Sequence, residues 1–306
     1  MSEWFNQKEK YAGVLRIKIV WWFCIVFGRR AARFLIFFIV VFAYPFLAEA
    51  RISAKKFFGV LNEFEKRRGI STTKPRVFRL IYNYALSMLD KMLSLSGRIP
   101  KNCVFFENSS DVEEFKTLVN SGKGAFLIFS HIGNFEVLGT NGAEAFGTRK
   151  PEIFALVENW SESVFRTEFL SKSKENSFHF LDVSNINIAT FEHLDTELER
   201  GNLIIAAGDR LSKRTPEKFF EEIVLGKKCN LPSGVFQLAE MLKRPVFFAN
   251  CVEKNGKYFA SVKKAGKRVP SKRRGENLAR EYAAFLEKSA LDTPLQWFNF
   301  FDFFKS

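Results

Sequence analysis

Cysteine and histidine are scarce in this chain, and what remains is scattered. Cys24, Cys103, Cys229 and Cys251 form no C-x-x-C pair, which excludes a disulfide framework and suits a reducing compartment. His131, His179 and His193 lie far apart and no H-E-x-x-H is present, so neither a metal site nor a metal cofactor is expected. There is no G-x-S-x-G elbow to present a nucleophilic serine. No helix-turn-helix pattern, zinc-finger spacing or aromatic RNA-binding motif accompanies the basic charge, so nucleic acid is not the expected partner. Low-complexity tracts are also missing, and 47% apolar content over 306 residues is enough for one substantial core with a small appendage.

Phenylalanine, by contrast, is abundant, with 37 residues. Many cluster near the two ends: Phe34, Phe37, Phe38, Phe42 and Phe46, then Phe298, Phe300, Phe301, Phe303 and Phe304. Apolar clusters of this kind either build a core or meet lipid or another subunit. The charge is also uneven. Residues 1–100 hold 18 Lys/Arg against 6 Asp/Glu, so +12 of the net +14 lies in the first third. Basic residues beside apolar runs suit an anionic membrane surface.

Two uncharged runs, Ile19 to Gly28 and Phe34 to Ala48, flank Arg29, Arg30 and Arg33. The second holds 15 residues, short of the roughly 20 that a bilayer core asks for, and Pro45 disturbs its end. Three readings compete. Ala48-Glu-Ala50 resembles a secretory cleavage site, but the preceding stretch is too long. A single span with snorkelling arginines is a second reading. An anchor lying in the interface, with Trp21 and Trp22 at headgroup depth, is the third. The expected arrangement is an anchor over residues 1–60 and a catalytic domain over 61–306. The arginines put that domain on the cytoplasmic side.

Beyond the anchor, Val77, Leu80, Ile81, Tyr84, Met88 and Leu89 predict an amphipathic helix over about 76–96. Apolar runs predict strands at Ala125 to Phe129, Ile153 to Val157, Phe178 to Val183 and Leu203 to Ala207. Helices are expected over 186–200 and 234–243, and a late hairpin around Asn255-Gly256. Strands alternating with helices give an α/β class, with a mainly parallel central sheet flanked by helices. Functional residues in such sheets gather just past the carboxyl ends of strands.

Two polar clusters occupy that place. In Ser130-His-Ile-Gly-Asn-Phe-Glu136, His131 is expected in a turn and Glu136 on the first turn of a helix that Asn134 caps. In that geometry Glu136 accepts the imidazole N–H, and the other ring nitrogen takes a proton from a bound hydroxyl or amine. With no protein nucleophile evident, the base acts on an acceptor substrate. The second cluster is Asp209-Arg210, either a phosphate or carboxylate clamp or a structural pair. A third segment places Ser233 and Gly234 at a helix start, as an oxyanion site or as a plain turn and cap.

These pieces together resemble the lysophospholipid acyltransferase superfamily, in its lipid A late acyltransferase branch, and within that a predicted-acyltransferase subgroup. The matching residues, in order, are His131 and Glu136, then Gly208-Asp209-Arg210, Val224-Leu-Gly226, Leu231-Pro-Ser-Gly234 and Pro294-Leu-Gln-Trp-Phe298. Pro232-Ser-Gly234 stands where the glycerol-phosphate enzymes carry Phe-Pro-Glu-Gly-Thr, which points away from a glycerol-phosphate acceptor. The resemblance implies a layered glycerol-phosphate-acyltransferase-like fold and an N-terminal anchor on the cytoplasmic face of a bacterial inner membrane. It implies His131 as base, Glu136 as relay, and substrate contacts from Asn134, Asp209, Arg210, Ser233 and Gly234. The co-substrate is an acyl thioester of acyl carrier protein or coenzyme A, and the acceptor a lipid or glycolipid. Rival readings are a lysophospholipid or ornithine-lipid acyltransferase, and a non-catalytic assembly factor on the same fold.

Overall fold

The computed structural model describes residues 12–141, 149–158, 178–183, 186–267 and 271–305. Three helices lead: α1 (Ala12–Ala43), α2 (Ala48–Arg67) and α3 (Val77–Leu95). The strands that follow are β1 (Val104–Phe106), β2 (Ala125–Gly133), β3 (Ile153–Val157), β4 (Phe178–Asp182) and β5 (Leu203–Ala207). Between them lie α4 (Ser110–Asn120), α5 (Phe135–Asn141) and α6 (Ile188–Glu199). A separate hairpin, β6 (Phe219–Val224) and β7 (Lys227–Pro232), runs into α7 (Ser233–Met241). The hairpin of β8 (Val246–Lys254) and β9 (Lys257–Lys264) precedes α8 (Glu276–Asp292).

Seven strands form one sheet in the order β1-β9-β8-β2-β5-β3-β4. All its pairings are parallel except the β8–β9 hairpin, which turns through Asn255 and Gly256 with φ of 55° and 82°. The α/β class with a mainly parallel sheet and flanking helices is as expected. Strand β2 is central, and Phe126, Leu127 and Ile128 are almost wholly buried, which explains a run without polar alternation.

The N-terminal helices do not stand apart from this body. On α1 the buried residues Val20, Cys24, Ala32, Ile36 and Val40 recur at multiples of four, a stripe that faces α3. Gly28, at φ 83° and ψ 169°, breaks the helix in the middle of this stripe. The other side exposes Trp22, Phe27, Phe34, Phe38, Phe42 and, just beyond, Phe46. Helix α2 buries Phe57, Phe58, Leu61 and Phe64, with Phe57 edge-on to Trp297. Among the described residues no single helix is long and apolar enough to cross a membrane. Only Ile19–Phe46 taken together with α2 passes, and the two meet at a 92° bend.

Candidate functional site

The site forms where β2 and β5 end side by side. Phe129 lies in register with Ala207 on the parallel ladder, so the next residues of the two strands emerge together. Two steps on from that pair stand His131 and Asp209. His131 Nδ1 lies 2.6 Å from Asp209 Oδ1, and the His131 backbone N–H donates to Asp209 Oδ2 at 2.8 Å. The carboxylate is thus held at both oxygens, and its side chain is 2% exposed against 27% for the imidazole. Because Asp209 is an acceptor here, the Nδ1–H tautomer follows, and Nε2 carries the free lone pair.

This corrects the expected partnership. Glu136 lies on the first turn of α5 as anticipated, but its carboxylate pairs with the Lys91 ammonium on α3. His131 also sits differently, on a continuation of β2 through Gly133 after a register break, not in a turn. Its backbone carbonyl accepts from Phe298 N–H at 3.1 Å. Gly133 is required by the path: its φ is 78°, and a Cβ there would lie 1.9 Å from the Cys251 carbonyl oxygen. Asn134 does not cap α5 with its side chain. Its amide donates to the Ser87 carbonyl at 2.7 Å, tying the loop to α3.

A cavity of about 550 Å³ opens in front of His131. Phe129, Leu156, Val157, Phe180, Val235 and Leu238 give it an apolar side, while Arg210, Glu136 and Lys91 supply charge. The volume falls in the range of small-molecule and chain-binding sites. Asp209 and Arg210, expected to act together on substrate, are divided by burial. Asp209 lies behind the imidazole, and Arg210 lines the cavity with Nη2 3.5 Å from the Phe298 carbonyl. Ser233 is buried and its N–H donates to the Lys218 carbonyl, so it is not the anion donor expected. Gly234, the next residue on α7, does line the cavity.

Several contributors lie outside the expected set. Tyr84, Ser87, Met88 and Lys91 of α3 form one cavity wall. Their i, i+3, i+4, i+7 spacing is legible in the sequence as one helix face. Glu158, at the exit of β3, accepts from the Ser212 hydroxyl and from Lys213 N–H (2.8 Å for the latter) and so pins the loop after Arg210. Among the described residues no group of three or more His, Cys, Asp or Glu is placed to hold a metal ion.

The electrostatics suit a base. Burial, then the Arg210 charge, lowers the His131 pKa from its ordinary 6.5 despite the opposing carboxylate of Asp209. Burial alone would raise the Asp209 carboxyl, yet the charge and hydrogen bonds of His131, with Arg210, bring it below its usual value. For Glu136 burial again raises, and the charge and hydrogen bond of Lys91 prevail, so it too is held low. Near neutral pH the imidazole is uncharged and both carboxylates are ionised.

No family model and no curated protein matches the chain.

Proposed function

We propose that the chain is a membrane-docked acyltransferase that moves a fatty acyl group from a thioester to a hydroxyl or amine of an amphiphilic acceptor. The observation that carries this reading is the 2.6 Å contact between His131 and the buried Asp209 at the mouth of a largely apolar cavity. Asp209 fixes the tautomer, Nε2 takes the acceptor's proton, and the acceptor oxygen or nitrogen attacks the thioester carbon. The C–S bond breaks and the proton passes to the leaving thiolate sulfur. Arg210 and Gly234, at the amide end of α7, both line the cavity, which supports their stabilising the oxyanion. The apolar side of the cavity suits an acyl chain.

The exposed aromatic face of α1, with Arg30 and Arg33 beside it, supports docking in the plane of an anionic membrane surface. The thioester donor, from acyl carrier protein or coenzyme A, arrives from the cytoplasmic side of an inner membrane. His131→Ala, assayed with an acyl thioester and membrane lipid, should lose at least about 10²-fold in transfer rate while still sedimenting with vesicles. An unchanged rate would refute the mechanism, whereas a parent protein with no transfer would favour a non-catalytic assembly role.

A further inference from the structure

Next to the end of β2, and sharing Ser87, Gly133, Asn134 and Phe298 with the large cavity, the structure holds a second and much smaller pocket of about 40 Å³. Arg29, Asp90, Tyr258, Ser87, Gly133 and Asn134 are among the residues around it. Three of them form a charged network. Arg29 Nη2 donates to Asp90 Oδ2 at 2.8 Å and to the Tyr258 hydroxyl, also at 2.8 Å. Asp90 and Tyr258 are buried, and Arg29 follows the Gly28 break directly. One guanidinium thus joins α1, α3 and β9.

The next links lead to the site. Asp90 is followed on α3 by Lys91, whose ammonium holds Glu136, and Ser87, one turn earlier, holds Asn134 through its carbonyl. The loop itself is anchored from the other side by Asn134 N–H donating to the Cys251 carbonyl at 2.6 Å. The end of β2 that carries His131, with Asn134 after it, is therefore gripped between β8 and α3. To the packing of α3 against α1, α2 and α5, Arg29 adds an ion pair supplied from α1.

We infer that Arg29 and Asp90 are positioning residues for His131, so that the N-terminal helix is a working part of the catalytic site and not a detachable anchor. Two observations bear on whether the pair is merely structural. A buried ion pair is weak evidence for stability, because desolvating both charges offsets most of their attraction; here burial works to raise the Asp90 carboxyl pKa against Arg29. What the pair does supply is direction, since one nitrogen, Nη2, bonds both Asp90 on α3 and Tyr258 on β9 and so sets where α1 lies against them.

The inference rests on the acyl-transfer reading for its kinetic arm, while its exchange arm is independent of it. The test variant is Arg29→Met/Asp90→Leu/Tyr258→Phe, which removes every member of the network and leaves no buried partner orphaned. In the full-length protein on vesicles, the expected result is faster amide exchange across residues 131–138. It should come with a kcat lower by about tenfold or more at unchanged KM, since small misplacements of a catalytic group cost up to about 10²-fold. Arg29→Lys, which keeps the charge but shortens the reach to Asp90 and Tyr258, should move both readouts part-way, and it decides the matter if the triple variant fails to fold. Parent-like exchange, or altered exchange with parent-like kcat, would overturn the inference. His131→Ala serves as control: it should abolish transfer with exchange elsewhere in the loop unchanged. A parent protein with no transfer at all would refute the proposed function, and the exchange arm would still judge the positioning.

Discussion

In the proposed mechanism His131 acts as a base only while neutral, and Arg210 and Asp209 pull its proton affinity in opposite directions. Burial and Arg210 lower it, whereas Asp209 raises it. Transfer should therefore be full above the lowered pKa and decline as pH falls through it, placing the acid limb of kcat/KM below about 6.5. Arg210→Gln removes one lowering influence and should shift that limb upward in a pH–rate profile. Asp209→Asn removes the raising influence, so the limb should shift downward. The same variant lets the wrong tautomer form and should cost about 10²–10⁴-fold in kcat. Glu136→Gln should cost clearly less, because Glu136 pairs with Lys91 while Asp209 holds the imidazole Nδ1. Equal losses from the two carboxyl variants would restore Glu136 as the relay.

Among the elements, the end of β2 carries the most constraint. Its ladder to β8 shifts register between Phe129 and Gly133, which turns His131 toward the cavity and brings Gly133 against Cys251. Gly133→Ala adds a Cβ to a left-handed residue in backbone contact. A thermal melt should show a loss of about 1–3 kcal/mol or more, with the activity going too. Much of this level was legible in the sequence. The apolar runs at 125–129, 153–157 and 203–207 are all strands, and Asn255-Gly256 is the hairpin turn. Helices α4 and α8 lie outside the expected elements. Ser109 caps α4 through Val112 N–H, and Leu278, Ala279, Tyr282, Ala283 and Leu286 recur at helical spacing along α8, so both had local signals. The His131 partner had none of that kind. Asp209 is 78 residues away and becomes adjacent only when β2 and β5 pair in a register that no local pattern encodes.

At the scale of the molecule, the boundary expected near residue 60 separates what the packing joins. The stripe from Val20 to Val40 and the charge of Arg29 belong to the body, while the aromatic side of α1 faces outward. Deleting residues 1–48 should release the protein from vesicles in a flotation assay, as an anchor predicts. It should also leave Asp90 buried without its cation, at a cost of about 3–5 kcal/mol, so the released fragment should be inactive and melt lower. A soluble fragment with full activity would contradict that. By contrast, replacing Trp22, Phe34 and Phe38 with serine should weaken flotation and leave the melting temperature close to that of the parent.

The segment after α8 has a consequence for how the protein is made. Phe298 N–H holds the carbonyl of His131, Asp302 bonds Lys56 on α2, and Lys305 reaches Glu221 on the β6–β7 hairpin. Strand β1 likewise waits for β9. Ribosomal synthesis delivers these partners long after the residues they secure. Until then the chain displays the exposed aromatic face of α1 with the His131 site incomplete. The aromatic face of α1 is thus formed early in synthesis, while the site waits for the last elements, whose contacts are distant in sequence and therefore slow to form.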